Sequence, residues 1–250
     1  MKIKIFLPFL IFLNLNIYCQ VINIEGLRFR SNQEGWTGNN DLYFSLDQNT
    51  QLVLKIENRI NTQYKKGKNT ILLLGNINYS STAEQRLLND GYLHIRYSKQ
   101  ANEKFFTWEM FEQIQYNQFQ KLNYRNLTGG GLRLNLIEKD SLNFIFGTSL
   151  MFEYEQEREI DPITSNLRLN NYLAATFYVN RRLYIHTIIY YQPLHLDFND
   201  FRFSANGIFS LGLTNKLSLV NELSAYYDAI PAIGVPNLTY RIKTGLRFKF

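Results

Sequence analysis

The chain has 250 residues, 27 Lys and Arg against 21 Asp and Glu, a formal charge of +6, 45% hydrophobic residues and one cysteine, Cys19. With 19 Phe and 17 Tyr, and apolar residues recurring along its whole length, it is no disordered chain. A single cysteine excludes a disulfide scaffold, and the length suits one large all-β domain.

Lys2 and Lys4 precede an apolar run from Ile5 to Ile17, and polar residues follow from Gln20. A basic start and a short apolar run predict a secretory signal peptide over residues 1–19, cleaved after Cys19. The run is too short for a spanning helix, which takes roughly 20 residues. Tyr18 stands where a lipid-attachment signal wants a small residue, so lipidation is not expected. Loss of residues 1–19 leaves 25 basic and 21 acidic residues, a net +4. No later stretch is apolar for long enough to cross a bilayer as a helix, so any crossing is by strands. Residues 20–34 are a lead-in, within which Val21 to Arg30 alternates and fits either an extra strand or a periplasmic approach.

Period-two alternation then runs to the end. Predicted strands are Leu42 to Asp47, Leu52 to Gln63, Ile71 to Tyr79, Leu93 to Ser98, Phe106 to Asn117 and Leu132 to Glu138. They continue with Leu142 to Glu155, Leu167 to Val179, Leu183 to Tyr191, Phe201 to Leu213, Leu217 to Tyr227 and Leu238 to Phe250. The last is the clearest: Leu238, Tyr240, Ile242, Leu246 and Phe248 share one face, and Arg241, Lys243, Arg247 and Lys249 the other. Short turns (Glu138 to Ser141, Asn180 to Arg182, Thr214 to Lys216) alternate with longer polar loops (Ser80 to Asp90, Gln120 to Thr128, Gln156 to Asn166, Pro193 to Asp200, Asp228 to Asn237). Residues 35–250 therefore read as one all-β domain, an antiparallel up-and-down transmembrane β-barrel of about 12 strands, with periplasmic turns and external loops.

A soluble barrel alternates too, but its strands are usually about 5 or 6 residues long. Here the last segment is long enough to cover the roughly 25 Å apolar band of an outer membrane. Phe106, Trp108, Tyr191, Tyr227 and Phe248 sit near strand ends, as membrane girdles do. Terminal Phe250 resembles the C-terminal signature read by the barrel-assembly machinery. The expected location is the outer membrane of a Gram-negative bacterium, with membrane lipids, lipopolysaccharide and small solutes as candidate partners.

Several clusters carry a family resemblance: Gly35-Trp36-Thr37-Gly38; Asn89 with His94, Arg96 and Tyr97; Trp108-Glu109 followed by Phe111, Gln113, Gln115 and Asn117. To these add Arg125 with Gly129, Gly131 and Arg133, and Tyr154-Glu155 with Glu157. Their order and spacing resemble the domain of unknown function 481 family, also described as salt-induced outer-membrane proteins. The resemblance implies a single outer-membrane barrel without an assigned reaction, and a link to salt or osmotic stress through the family name alone.

With the apolar face toward lipid, the inward face is predicted to carry Lys55, Glu57, Arg59, His94, Arg96, Glu109, Arg133, Glu153, Glu155 and Arg168. His186, Arg202, Glu222, Arg241, Lys243 and Arg247 complete this lumen lining, and Asp47 and Lys249 face the same way. A charge in the bilayer must be hydrated or paired. Two readings follow: a lumen closed by Arg–Glu pairs, or a narrow channel whose cation excess favours anions. Glu112 breaks the pattern, since alternation aims it at lipid. A bulge near Met110 or Phe111 that turns it inward is the favoured reading, with a place near the rim or a subunit contact as alternatives.

An outer-membrane acyl hydrolase or transferase would pair a His with a Ser two residues away, and neither His94, His186 nor His195 has one. No enzyme, cofactor or metal site is expected, and His195 with Asp197 and Asp200 is only a weak candidate. Glu155, Glu157, Glu159 and Asp161 read as a solvated loop, with cation bridging to lipopolysaccharide as the alternative. Basic residues spread at period two argue against nucleic acid, and Tyr64 to Asn69 reads as a hairpin turned by Gly67.

Overall fold

The structure, a computed structural model, describes residues 24–28, 34–48, 52–81, 86–101, 105–118, 121–157, 163–231 and 236–249. The signal-peptide reading and terminal Phe250 lie outside these residues. Alternating sequence forms twelve strands: β1 (Gly35–Gln48), β2 (Leu52–Lys66), β3 (Asn69–Ser81), β4 (Arg86–Gln100), β5 (Phe106–Asn117) and β6 (Leu122–Glu138). They continue as β7 (Leu142–Glu157), β8 (Thr164–Tyr178), β9 (Leu183–Pro193), β10 (Phe201–Gly212), β11 (Leu217–Asp228) and β12 (Leu238–Lys249). Each pairs antiparallel with its neighbours in sequence, and β12 returns to β1, so the sheet closes into a barrel. Closure pairs main-chain groups that hydrocarbon cannot hydrogen-bond.

The two faces follow the pleat. On β5, Thr107, Glu109, Phe111 and Gln113 are buried inside, whereas Phe106, Trp108, Met110 and Ile114 are exposed outside. All the girdle residues point outward: Phe106, Trp108, Tyr191 and Phe248 are exposed and Tyr227 is half-buried. Both ends of the barrel, Gly35 and Lys249, lie on the rim of the short turns. The tightest turn is at Gly67, whose φ of +56° suits glycine and whose N–H donates to Glu34 Oε1 at 2.8 Å.

The strands run 11 to 17 residues, longer than their apolar stretches. Segments that read as long loops are absorbed into the ladder: β3 ends at Ser81 and β4 starts at Arg86, and β6 starts at Leu122. Polar residues beyond the apolar band still pair main chain to main chain, so hydropathy alone places strand ends too early.

The pairing of β1 with β12 covers only Asn39 to Leu42 against Lys249 to Leu246, whereas β6 and β7 pair from Leu122 to Glu138. This short seam carries a buried bolt. Arg247 Nε and Nη2 donate to Asp41 Oδ1 and Oδ2, each at 2.8 Å, and Nη1 donates to the Tyr184 hydroxyl at 2.6 Å. Beside it the Tyr43 ring lies flat over Gly245, where a Cβ would overlap the ring. Gly147 seats Tyr172 in the same way.

Inside, the barrel is not uniformly polar. Leu72, Leu74, Ile145, Ile188, Ile208 and Val220 all turn inward and are almost fully buried. The apolar runs of β3 and β9 thus face both ways, contrary to an inward face of polar groups alone. Ile145 and Ile188 pack with Tyr172, Ala174 and Tyr190 of the wall, whereas Leu72 and Leu74 pack on residues from the other end of the chain.

Candidate functional site

Residues 24–28 lie within the lumen. Glu25–Leu27 form one 3-10 turn, and Ile24 and Leu27 pack against Leu72, Leu74 and Tyr92. Burying two such aliphatic side chains contributes about 1.5–3 kcal/mol each. Asn61 Nδ2 donates to the Leu27 carbonyl. The lead-in is therefore neither a strand nor a periplasmic approach at these positions. It is a plug. Its signal in the sequence, Ile24 and Leu27 at a spacing of three, is too brief to separate from the surrounding alternation.

The plug is also held by charge. Glu25 accepts from Arg28 Nε at 2.7 Å, from Arg133 Nε at 3.2 Å and from the Tyr172 hydroxyl at 3.1 Å. Arg28 in turn reaches Glu109, which Arg96 holds at 2.6 Å. Burial by itself would raise the Glu25 carboxyl, but Arg133, Arg28 and Arg96 together outweigh it and hold it down at about 2.

Two further layers of paired charge lie around the wall. In one, Arg59 and Lys243 face Glu57 and Glu222: Arg59 to Glu222 is 2.8 Å and Lys243 to Glu57 is 2.7 Å. In the other, toward the long loops, Arg168 meets Glu153 at 2.8 Å and Asp200 at 2.9 Å, and Arg125 meets Glu155 at 2.6 Å. Arg202 bridges Glu153, Glu155 and Asp228. Arg241 interacts electrostatically with Asp90. The lumen-lining positions named from the pattern thus stand on the inner face, except Lys55 and Asp47, whose side chains lie outside the described residues. The pattern did not single out Glu25, Arg28, Asp41, Asp90, Arg125, Asp200 or Asp228. The added acids offset the surplus of cations on which an anion preference rests.

Both buried histidines are lumen groups. His94 Nδ1 is 3.0 Å from Gln113 Oε1 and its ring stacks on Phe111, and His186 Nδ1 is 2.8 Å from Thr176 Oγ1. Asp197 Oδ1 accepts the Asn199 N–H at 3.0 Å within its own loop, and Asp200 is engaged by Arg168. Among the described residues no group of His, Cys, Asp and Glu could hold a metal ion. Of the acidic loop, Glu159, Asp161 and the Glu157 side chain lie outside the described residues.

Glu112 is not turned inward. The ladder is regular through Met110, Phe111 and Glu112 on both sides of β5, and the irregularity falls at Gln115/Asn117. Its carboxylate is exposed on the outer face and accepts from Asn126 Nδ2 at 3.2 Å.

The plug divides the interior. On the turn side a cavity of about 750 Å³ opens to the rim of the short turns, lined by Glu25 and Arg28 of the plug and by Arg133, Thr176, His186 and Arg247 of the wall. On the loop side lies a cavity of about 50 Å³, lined by Ile24, His94, Phe111, Arg125, Glu153 and Arg202. That smaller space suits one or two waters.

A family model described as "Protein of unknown function, DUF481" matches residues 49–250. The chain belongs to the DUF481 family. In this DUF481 protein the match begins after β1, so the plug precedes the matched residues. No curated protein matches it. Among solved structures it is similar to the NanC porin, with a TM-score of 0.54 at 12% identity, over 86% of this chain and 100% of that one. It is also similar to the KdgM porin (TM-score 0.44, 11% identity, 86% and 99% covered) and to the outer membrane channel DcaP of Acinetobacter baumannii (0.42, 8%, 89% and 99%). At such identity the NanC likeness speaks for the fold alone. It gives the DUF481 protein the closed antiparallel β-barrel fold of that porin.

Proposed function

We propose that this protein is a barrel sealed at rest by its own N-terminal segment, and that solutes pass only when the segment withdraws. The seating of Ile24 to Arg28 between the two interior cavities supports this reading. Apolar contact and buried charge pairs together fill the cross-section that porin-like barrels of this size leave for passage. A sealed barrel adds to the envelope without leaking ions, which suits a role in envelope integrity under osmotic or salt stress. Among the described residues, 24–28 meet the wall through side chains and isolated main-chain groups, with no ladder pairing, so their release leaves the wall intact.

Planar-bilayer recording tests the reading. The wild-type barrel stays silent at neutral pH, and deletion of residues 20–30 produces discrete openings. A wild-type barrel that conducts steadily, or a folded deletion variant that stays silent, overturns the proposal.

A further inference from the structure

We propose that the outer face of β5 and β6 is a lateral contact between two copies of this chain, centred on Glu112 and Asn126. Among the described residues, Glu112 is the one charged side chain on the outward face away from the rims. Along β5 the outward positions are Phe106, Trp108, Met110, Glu112, Ile114 and Tyr116. At about 3.3 Å per residue and a tilt of about 40°, Glu112 stands roughly 10 Å from both Trp108 and Tyr116. That is the middle of the apolar belt, where an unpaired carboxylate is costly.

Other polar groups on the outer wall are neutral, and three pairs of them answer each other. Asn40 and Asn58 exchange two hydrogen bonds at 3.2 and 2.9 Å, Thr148 donates to Asn171 at 2.8 Å, and Thr244 donates to Asn221 at 2.7 Å. The Glu112 group is different. Thr128 Oγ1 donates to Asn126 Oδ1 at 3.2 Å, and Asn126 Nδ2 donates to Glu112 Oε1 at 3.2 Å. Among the described residues, one amide hydrogen of Asn126 and the second carboxylate oxygen of Glu112 are left without a partner on a face where lipid offers neither donor nor acceptor.

One remaining donor and one remaining acceptor on adjacent strands are self-complementary. A twofold axis along the membrane normal sets Asn126 of one copy against Glu112 of the other, and the reverse. Hydrogen bonds of this kind between membrane segments act as glue. Gly130 lets the two walls approach, and the adjoining Met110, 65% exposed, is a side chain that adapts to a packed neighbour.

The test is disulfide trapping in the outer membrane, with Cys19 replaced by Ser. Met110→Cys yields an oxidant-dependent species of twice the chain mass, whereas Ile189→Cys, outward on β9 about a third of the way around the twelve-strand ring, does not. Adding Glu112→Leu lowers the Met110→Cys yield at least severalfold while heat-modifiable migration shows a folded barrel, and Glu112→Gln, which keeps an acceptor, retains it. No double-mass species, equal trapping at Ile189→Cys, an adduct with a different protein, or a yield indifferent to both Glu112 variants overturns the proposal.

Discussion

Replacing Glu25 with Gln removes the charge that Arg28 and Arg133 hold while keeping the side chain's shape. The size of the effect follows from linkage: a carboxyl ordinarily near 4.5, held at about 2 in the seated plug, places about 3 kcal/mol on the seated state. Loss of that contribution shifts the seated-to-withdrawn ratio about a hundredfold. The sign in pH follows too. Because the seated value is the lower one, the contribution is complete above pH 4.5 and fades as pH falls from 4.5 toward about 2. In single-channel recordings the wild type is closed at pH 7 and opens on acidification through this window, whereas Glu25→Gln opens at pH 7 and lacks this acid-dependent step. Equal open probability for the two proteins at pH 7, or the same acid step in both, would refute the reasoning.

Other perturbations probe the wall. Asp41→Ala leaves Arg247 buried without its carboxylate at the shortest seam and is expected to destabilise by about 3–5 kcal/mol, measured as a lower unfolding midpoint in denaturant. Gly147→Ala pushes a methyl group into the Tyr172 ring and is expected to cost about 1–3 kcal/mol in the same assay, and an unchanged midpoint refutes the packing. Trp36 and Trp108, 71% and 61% exposed and the two tryptophans of the chain, both lie on the outer face near the turn rim. Their fluorescence should be quenched by lipids labelled near the headgroup more strongly than by lipids labelled at the chain terminus.

The wall was legible because lipid outside and paired charge inside impose opposite demands on successive residues, as in Leu238 to Lys249. The lumen was legible only in part. Arg59, Arg202 and Glu222 announce themselves by charge at inward positions, but Leu72 and Leu74 lie in a run that is apolar on both sides of the pleat and read as lipid-facing until their partner is known. That partner, Ile24 with Leu27, sits far away in sequence inside a segment too short for any period to register. Glu112 was misread for a related reason. Polarity was taken as a sign of inward orientation, whereas the unbroken register of β5 keeps it outside, where its meaning depends on what lies beyond this chain.

The position of residues 24–28 also orders the biogenesis of the molecule. Their contacts come from Asn61 on β2, Glu109 on β5, Arg133 on β6 and Tyr172 on β8, so their binding place does not exist until strands from much of the polypeptide stand together. The ring itself shuts only when β12, the last strand, meets β1. A segment that leaves the ribosome ahead of every strand is therefore among the last to find its place, and the newly inserted ring passes through a stage with a vacant centre.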